Sequence, residues 1–175
     1  MNTQQINTLV KSDYLAKQIF IGTYPSDNLP KPLKYPFCII ANIDSSNKGG
    51  SHWVSLYISK NAQGEFFDSY GQQPSKPFEI YLNKHCKNWK SNTQRIQGIL
   101  ASTCGHYCIL MVLMWSRGYN IKEVINRFDS KDCTSNDVVV TAFINQTFDC
   151  SFPTYDQDYL AQQISVALPQ LNLGI

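Results

Sequence analysis

The chain reads Thr93-Gln-Arg-Ile-Gln-Gly-Ile-Leu-Ala-Ser-Thr-Cys-Gly-His-Tyr-Cys108 and continues directly into the apolar run Cys108-Ile-Leu-Met-Val-Leu-Met-Trp115. A run of this length that is rich in Leu and Met predicts a buried helix, and Arg117-Gly118 predicts its C-terminal end. Cys104 then lies at or just before the helix N-terminus, where unpaired N–H groups and the helix dipole favour a negative charge. A thiolate is stabilised there, so Cys104 is a candidate nucleophile. The alternative is a small buried hydrophobic residue.

The composition predicts one folded domain that comprises residues 1–175 and has a substantial core. Although 43% of the residues are hydrophobic and only 16% are charged, no apolar run approaches the roughly 20 residues of a membrane helix. The N-terminus lacks a basic segment followed by an apolar one, so we expect no signal peptide. The net charge of +2 permits contact with nucleic acid but does not predict it.

The cysteines are scattered through apolar segments, unlike those of a disulfide framework. They are Cys38, Cys86, Cys104, Cys108, Cys133 and Cys150. Because we expect no secretion, we expect these residues to be thiols in a reducing compartment.

The order of the predicted elements is that of an α+β fold with a mainly antiparallel central sheet flanked by helices. The predicted strands are Phe37–Ile43, His52–Ile58, Glu65–Tyr70 and a short one at 94–97. Residues 61–64 join the second strand to the third as a hairpin loop whose Gly64 accepts a positive φ. The stretch Phe20–Tyr24 leads into an irregular, proline-rich surface segment.

The remaining segments have the apolar spacing of helices. Besides the helix that Cys104 begins, the predicted helices are one or two short ones within 4–20, one introduced by Pro74 and Pro77 that ends near Cys86, one at 121–128, one at 136–148 capped by Ser135 or Asn136, and an amphipathic stretch at 159–168.

His52 and Asp68 are the candidate partners of Cys104. His52 begins a strand directly after a Gly-Gly-Ser loop, so its ring is expected at the end of the sheet, where a base is both held and accessible. Asp68 lies on the neighbouring hairpin strand, and antiparallel neighbours place side chains about 5 Å apart. A carboxylate in an aromatic strand requires a partner, and His52 is within reach. The alternatives are a surface or core histidine and an Asp that caps the turn into Gly71.

A Cys–His–Asp set is sufficient for acyl transfer through a thiolate. Such chemistry also requires donors for the oxyanion. Gln97 precedes Cys104 by seven residues and is able to return its side-chain amide to the nucleophile, while the Cys104 backbone N–H is the second donor. The alternative for Gln97 is an ordinary polar strand residue.

Three blocks of the sequence resemble the signature blocks of the adenovirus endopeptidase (adenain) family of cysteine proteases. They are Gly49-Gly-Ser-His-Trp53, Phe67-Asp-Ser-Tyr-Gly71 and the stretch from Gln94 to Cys108, and their order, His then acid then Gln then Cys, is that of the family. Phe20-Ile-Gly-Thr-Tyr24 is a shorter match. The resemblance covers about residues 5–120, and the blocks look most similar to the maturation proteases of virophages and Maverick/Polinton-type elements.

The resemblance implies that His52 is the base, Asp68 the orienting acid, Gln97 the oxyanion donor and Cys104 the nucleophile. Trp53 and Gly105 then belong to the substrate-binding surface, and no metal takes part. The implied enzyme is a cysteine endopeptidase that cleaves viral capsid and other structural precursor proteins during virion maturation. It is expected to be a monomer in the host cytoplasm or viral factory that is packaged in the virion, with no cofactor and no membrane partner.

Activation is where the sequence departs from the family pattern. The adenovirus enzyme is stimulated by a viral peptide that is disulfide-bonded to a Cys before the Gln block, and by DNA. Cys86 resembles that Cys in placement, although the residues around it differ. The alternative for Cys86 is a plain thiol at a helix end. The nearby basic residues are Lys84, Lys87, Lys90 and Arg95, which form either a weak DNA contact or a solvated face.

Two other functions remain open from the sequence. A protease that removes ubiquitin-like modifiers from host proteins shares the fold and the order of the four residues. A non-enzymatic zinc-binding module is the alternative of a different class, since His85, Cys86, Cys104, His106 and Cys108 supply imidazoles and thiols. Their spacing matches no zinc ribbon or finger.

Overall fold

The structure is a computed structural model that describes residues 1–150. Its helices are α1 (Thr3–Ser12), α2 (Ala16–Ile19), α3 (Lys76–His85), α4 (Cys104–Ser116), α5 (Ile121–Ile125) and α6 (Cys133–Phe148). Its strands are β1 (Phe20–Pro25), β2 (Phe37–Asn42), β3 (Trp53–Ile58), β4 (Gln63–Phe67) and β5 (Asn88–Ser91). The predicted helical stretch at 159–168 lies outside the described residues.

Helix α4 is buried along its whole length, as the apolar run predicts. Every residue from Gly105 to Trp115 is buried, which is the burial expected of a helix that is apolar all round. The helix packs against β3 on one side and against α1, α2 and α6 on the others. It ends at Ser116 with Arg117 as its C-cap, and Gly118 follows with φ +89°, a conformation that favours glycine.

The five strands form one sheet in the order β1-β2-β3-β4-β5. The central pairs β2–β3 and β3–β4 are antiparallel, and each edge strand pairs with its neighbour in parallel. Side chains of β2 alternate between two cores: Cys38 and Ile40 pack with α4, while Phe37 and Ile39 pack with Phe78 and its neighbours on α3. The sheet therefore has helices on both faces, and the predicted α+β class is confirmed.

The edge strands are where the sequence-based prediction of the sheet was wrong. Phe20–Pro25, where no strand was predicted, forms β1 through its parallel pairing with β2, with an irregularity between Phe20 and Gly22. Residues 94–97 do not form a strand, because the backbone N–H groups of Ile96 and Gln97 both donate to the Ser69 carbonyl rather than to a ladder. The last strand is instead β5, at Asn88–Ser91.

Two local predictions were also wrong. The residue with positive φ in the β3–β4 loop is Ala62, at +59°, and Gly64 lies within β4. Glycine is required at position 64 for packing, since a Cβ there would lie 2.5 Å from Cys86 Sγ. Helix α6 begins at Cys133 with Asp132 as its cap, because Asp132 accepts from the Ser135 N–H.

No helix within residues 1–150 is both long enough and apolar enough to cross a membrane.

Candidate active site

His52 and Asp68 form a buried pair at one end of the sheet. His52 directly precedes β3 and Asp68 directly follows β4, and the pairing of Ser55 with Phe67 brings the two strand ends together. The distance from His52 Nε2 to Asp68 Oδ1 is 2.8 Å, and the two residues are 7% and 3% exposed. The hydrogen bond that the sequence predicts is therefore present, although Asp68 lies just beyond the strand.

The backbone of Asp68 is held by Asn92, a residue that no sequence pattern singled out. The Asp68 N–H donates to Asn92 Oδ1 at 3.0 Å, and Asn92 Nδ2 donates to the Asp68 carbonyl at 2.6 Å. Because one amide side chain satisfies both backbone groups, Asp68 is fixed without belonging to a strand ladder. No periodicity or motif indicates such a contact.

Cys104 is the first residue of α4, and its thiol is hydrogen-bonded to the His52 ring. Burial by itself raises the pKa of this thiol. The hydrogen bond to His52, the backbone N–H groups of Trp53 and Gly105, and the positive charge of the ring together outweigh burial, so the pKa of Cys104 lies below its ordinary value of 9.0. The N-terminus of the helix thus stabilises a thiolate, as proposed from the sequence.

The His52 ring is correspondingly biased towards the charged form. Burial opposes a charge on the ring, but the hydrogen bonds and charges of Asp68 and Cys104 raise the pKa of His52 from 6.5 to about 9. Since Nε2 is hydrogen-bonded to Asp68, Nδ1 is the ring nitrogen that exchanges a proton with the thiol. The lowered pKa of Cys104 and the raised pKa of His52 both favour the thiolate–imidazolium pair, which is the reactive form of a cysteine nucleophile.

Gln97 is completely buried and its carboxamide is held from three sides. Its Oε1 accepts from Ser69 Oγ at 2.6 Å, while its Nε2 donates to the Ala101 carbonyl at 2.6 Å and to the Tyr70 hydroxyl at 3.2 Å. Both amide protons thus have partners within the protein. The structure shows the predicted oxyanion donor in an ordered polar network that joins it to Tyr70.

Tyr70 is the second residue of the site that the sequence did not single out. Its ring lies 4.8 Å from the His52 ring, centroid to centroid, with a 30° angle between the planes. Its backbone N–H donates to Asp68 Oδ1 at 2.8 Å. Tyr70 therefore contacts the base, the acid and Gln97. Its position in the Phe-Asp-Ser-Tyr-Gly block, two residues after Asp68, was the available signal.

The loop of residues 98–103, which joins Gln97 to Cys104, is held by Asp137 on α6. Asp137 Oδ2 accepts from the Gly98 N–H at 2.9 Å, and Oδ1 accepts from Thr103 Oγ1 at 2.6 Å. Burial raises the pKa of Asp137, although these hydrogen bonds oppose the rise. Thr103 precedes α4 but gives its hydroxyl to Asp137 rather than capping the helix, so no Thr103 side-chain cap occupies the first N–H groups of α4.

Trp53 and Gly105 lie beside the nucleophile and pack against Met1. Trp53 Nε1 donates to the Met1 carbonyl at 3.2 Å, and a Cβ at Gly105 would lie 3.2 Å from Met1 Cβ. The space beside Gly105 is thus filled by the chain itself. Trp53 also lines a cleft of about 400 Å³, together with Tyr24, Asn42 and the Gly49–Gly50 loop that precedes His52.

Cys86 lies at the C-terminal end of α3, where its sulfur packs against Gly64. Burial raises its pKa to about 11, so little thiolate is present at neutral pH for disulfide exchange. Lys84, Lys87 and Arg95 are exposed, and Lys90 pairs with Glu65 at 2.9 Å.

The histidine and cysteine side chains of the alternative zinc site are not arranged as ligands. Within residues 1–150, no group of three or more His, Cys, Asp or Glu side chains is placed to hold a metal ion. Cys108 is completely buried in the core, and burial lowers the pKa of His106 to about 4.

Comparison with known proteins relates the fold to that of a viral cysteine protease. The chain superposes on the ASFV pS273R protease with a TM-score of 0.60 and 14% sequence identity, over 87% of this chain and 67% of that one. The Se-Met form of that protease aligns at a TM-score of 0.49 and 18% identity, over 67% of this chain and 44% of the other.

The central domain of the uncharacterized Lpg1148 protein from Legionella pneumophila aligns at a TM-score of 0.47 and 12% identity, over 94% of this chain and 98% of that domain. No protein-family model and no curated protein matches the sequence. The chain thus shares the fold of the ASFV pS273R protease. It spans between 44% and 67% of the length of the two chains of that protease that it matches.

Proposed function

We propose that the chain is a cysteine endopeptidase in which Cys104 is the nucleophile, His52 the acid–base group and Asp68 the orienting acid. The observation that carries the proposal is the buried His52–Asp68 hydrogen bond beside the half-buried Cys104 thiol at the N-terminus of α4, where His52 lowers the pKa of the thiol. Each member has the chemistry that acyl transfer requires. The fold shared with a viral cysteine protease supports the same conclusion.

The reaction follows from this geometry. The Cys104 thiolate attacks the scissile carbonyl carbon, and the carbonyl π electrons move to the oxygen. The Cys104 backbone N–H, at the start of α4, stabilises the oxyanion, together with the polar network around the Gln97 carboxamide. When the intermediate collapses, the C–N bond breaks and the imidazolium gives its Nδ1 proton to the leaving amine. A thioester and a neutral His52 remain.

The second half of the reaction releases the acyl group. His52 takes a proton from water while the water oxygen attacks the thioester carbonyl. The C–S bond then breaks, which restores the thiolate–imidazolium pair and frees the carboxylic acid. Asp68 holds Nε2 throughout and stabilises each imidazolium that forms. Every proton is accounted for by His52, the leaving amine and water.

The substrates that we propose are viral capsid and other structural precursor proteins, cleaved in the host cytoplasm or viral factory and in the virion. Support comes from the three sequence blocks around His52, Asp68 and Cys104. The cleft beside Trp53 is the proposed binding surface for the polypeptide, since Trp53 and the Gly49–Gly50 loop that line it flank the base in the chain. We expect the enzyme to act as a monomer without a cofactor.

The test is to incubate the purified chain with the structural precursors of its virus and with ubiquitin-like fusion proteins, and to identify cleavage products by mass spectrometry. We expect cleavage of the precursors, its loss in Cys104→Ala and its retention in Cys86→Ala, a matched thiol outside the site. Cleavage of the ubiquitin-like fusions alone would refute the proposed substrate. Cleavage that survives Cys104→Ala would refute the mechanism.

Activation by a peptide through Cys86, or by DNA at the exposed basic residues, is a separate proposal. It predicts that added viral peptide or DNA accelerates cleavage, and that Cys86→Ala removes only the effect of the peptide. The raised pKa of Cys86 predicts slow formation of such a disulfide at neutral pH. A rate that neither addition changes would refute activation.

A further inference from the structure

The hydrogen bonds of Gln97 within the protein limit its ability to donate to the oxyanion. An amide side chain has two N–H protons, and here one bonds to the Ala101 carbonyl at 2.6 Å and the other to the Tyr70 hydroxyl at 3.2 Å. Ser69 holds the carboxamide oxygen at 2.6 Å, so the group has no freedom to rotate without losing a buried hydrogen bond. Direct donation from Gln97 to an oxyanion requires one of these bonds to break.

The Tyr70 hydroxyl has a proton that is not used in this network. Because its oxygen accepts from Gln97 Nε2, its own O–H proton points elsewhere, and no acceptor in the part of the chain that the structure describes takes it. The phenol is fixed at both ends, since its ring packs on His52 and its backbone N–H bonds to Asp68. A neutral donor is thus held in place between the base and the oxyanion side of the site.

The electrostatic surroundings keep that proton in place. Burial raises the pKa of Tyr70 above 10.0, and the negative charges of Cys104, Asp137 and Asp68 raise it further. A phenol that stays protonated beside a thiolate is suited to donate to the negative oxygen that forms when the thiolate attacks.

We propose that the Tyr70 hydroxyl donates a hydrogen bond to the oxyanion of the tetrahedral intermediate, and that Gln97 is a positioning residue that orients and polarises this hydroxyl. The chain from the Gln97 N–H through the Tyr70 O–H to the oxyanion strengthens as the charge develops, because hydrogen bonds in series polarise one another. This inference rests on the proposed cysteine endopeptidase function and adds a second donor to the Cys104 backbone N–H.

Two small probes separate oxyanion stabilisation from thiolate reactivity, and neither requires knowledge of the substrate. Iodoacetamide alkylates the thiolate by displacement of iodide, so no oxyanion forms. p-Nitrophenyl acetate acylates the thiol through a tetrahedral intermediate and releases nitrophenolate. In both assays Cys104→Ala gives the background from the other thiols. The ratio of the two rates reports on the oxyanion donors alone.

We expect Tyr70→Phe, which keeps the ring on His52, to alkylate at the native rate and to acylate about 100-fold more slowly, as on removal of one oxyanion donor. Gln97→Ala should slow acylation as well. Tyr70→Met, which also lacks a hydroxyl, repeats the test if Tyr70→Phe does not fold.

Acylation at the native rate in Tyr70→Phe would overturn the inference, and so would an equal fall of both rates, which would place Tyr70 in support of the His52–Cys104 pair. Slow acylation in Gln97→Ala with normal acylation in Tyr70→Phe would assign the donor to Gln97. If the native chain shows neither reaction above the Cys104→Ala background, it is the proposed function that fails.

Discussion

Replacing Asp68 with Asn removes a charge from the site but retains one hydrogen bond. Asp68 Oδ1 accepts from His52 Nε2 and from the Tyr70 backbone N–H, both at 2.8 Å. Because only an oxygen satisfies the Tyr70 N–H, the Asn side chain places its oxygen at the Oδ1 position and still accepts from the ring. The tautomer that presents Nδ1 to Cys104 is therefore kept, and we expect slow turnover rather than none.

The size of the effect follows from the pKa of His52. The rise from 6.5 to about 9, achieved against the cost of burial, comes from the hydrogen bonds and charges of Asp68 and Cys104. It corresponds to about 3 kcal/mol in favour of the imidazolium. If half of this belongs to the carboxylate, Asp68→Asn lowers the equilibrium constant for the thiolate–imidazolium pair on the order of tenfold.

The assay is the rate of Cys104 alkylation by iodoacetamide as a function of pH. We expect Asp68→Asn to be alkylated up to about tenfold more slowly than the native chain at neutral pH, with the two rates converging at high pH, where the thiol is ionised in both. Asp27→Asn, which removes a carboxylate from a surface loop, is the matched control and should leave the profile unchanged. A native profile in Asp68→Asn would refute the view that this carboxylate stabilises the imidazolium. Complete loss of turnover would refute the expectation that Asp68→Asn keeps the His52 tautomer that presents Nδ1 to Cys104.

Three further predictions concern the site and the core. Cys104→Ala and His52→Ala should each abolish turnover with an unchanged circular dichroism spectrum; residual turnover at a tenth of the native rate would contradict their roles. Since burial lowers the pKa of His106 to about 4, the unfolded chain binds a proton below pH 6.5 that the folded chain does not. The free energy of unfolding should thus fall by about 3 kcal/mol between pH 6.5 and 4, and urea unfolding of His106→Gln should show a correspondingly smaller fall. Gly64→Ala should lower that free energy by about 1–3 kcal/mol, partly recovered by Cys86→Ala; no recovery would exclude the sulfur as the obstacle.

The sequence by itself determined the elements that local pattern specifies. The apolar run after Cys104 is long enough to be a helix that is buried all round, and the structure confirms α4 as Cys104–Ser116. The hairpin pattern predicted that Asp68 would return to His52, because a short loop between two strands leaves little choice of register. Both predictions rest on residues within about twenty positions of each other.

Only the tertiary structure decided the features that depend on distant pairing. Strand β1 forms through its pairing with β2, and β5 through its pairing with β4, so the local sequence of neither segment identified it as a strand. Asn92, Tyr70 and Asp137 support the site through hydrogen bonds and a ring contact with residues distant in the chain. A polar side chain that is buried by a partner far along the chain has the same local sequence as one in solvent, because its partner is brought to it only by the fold.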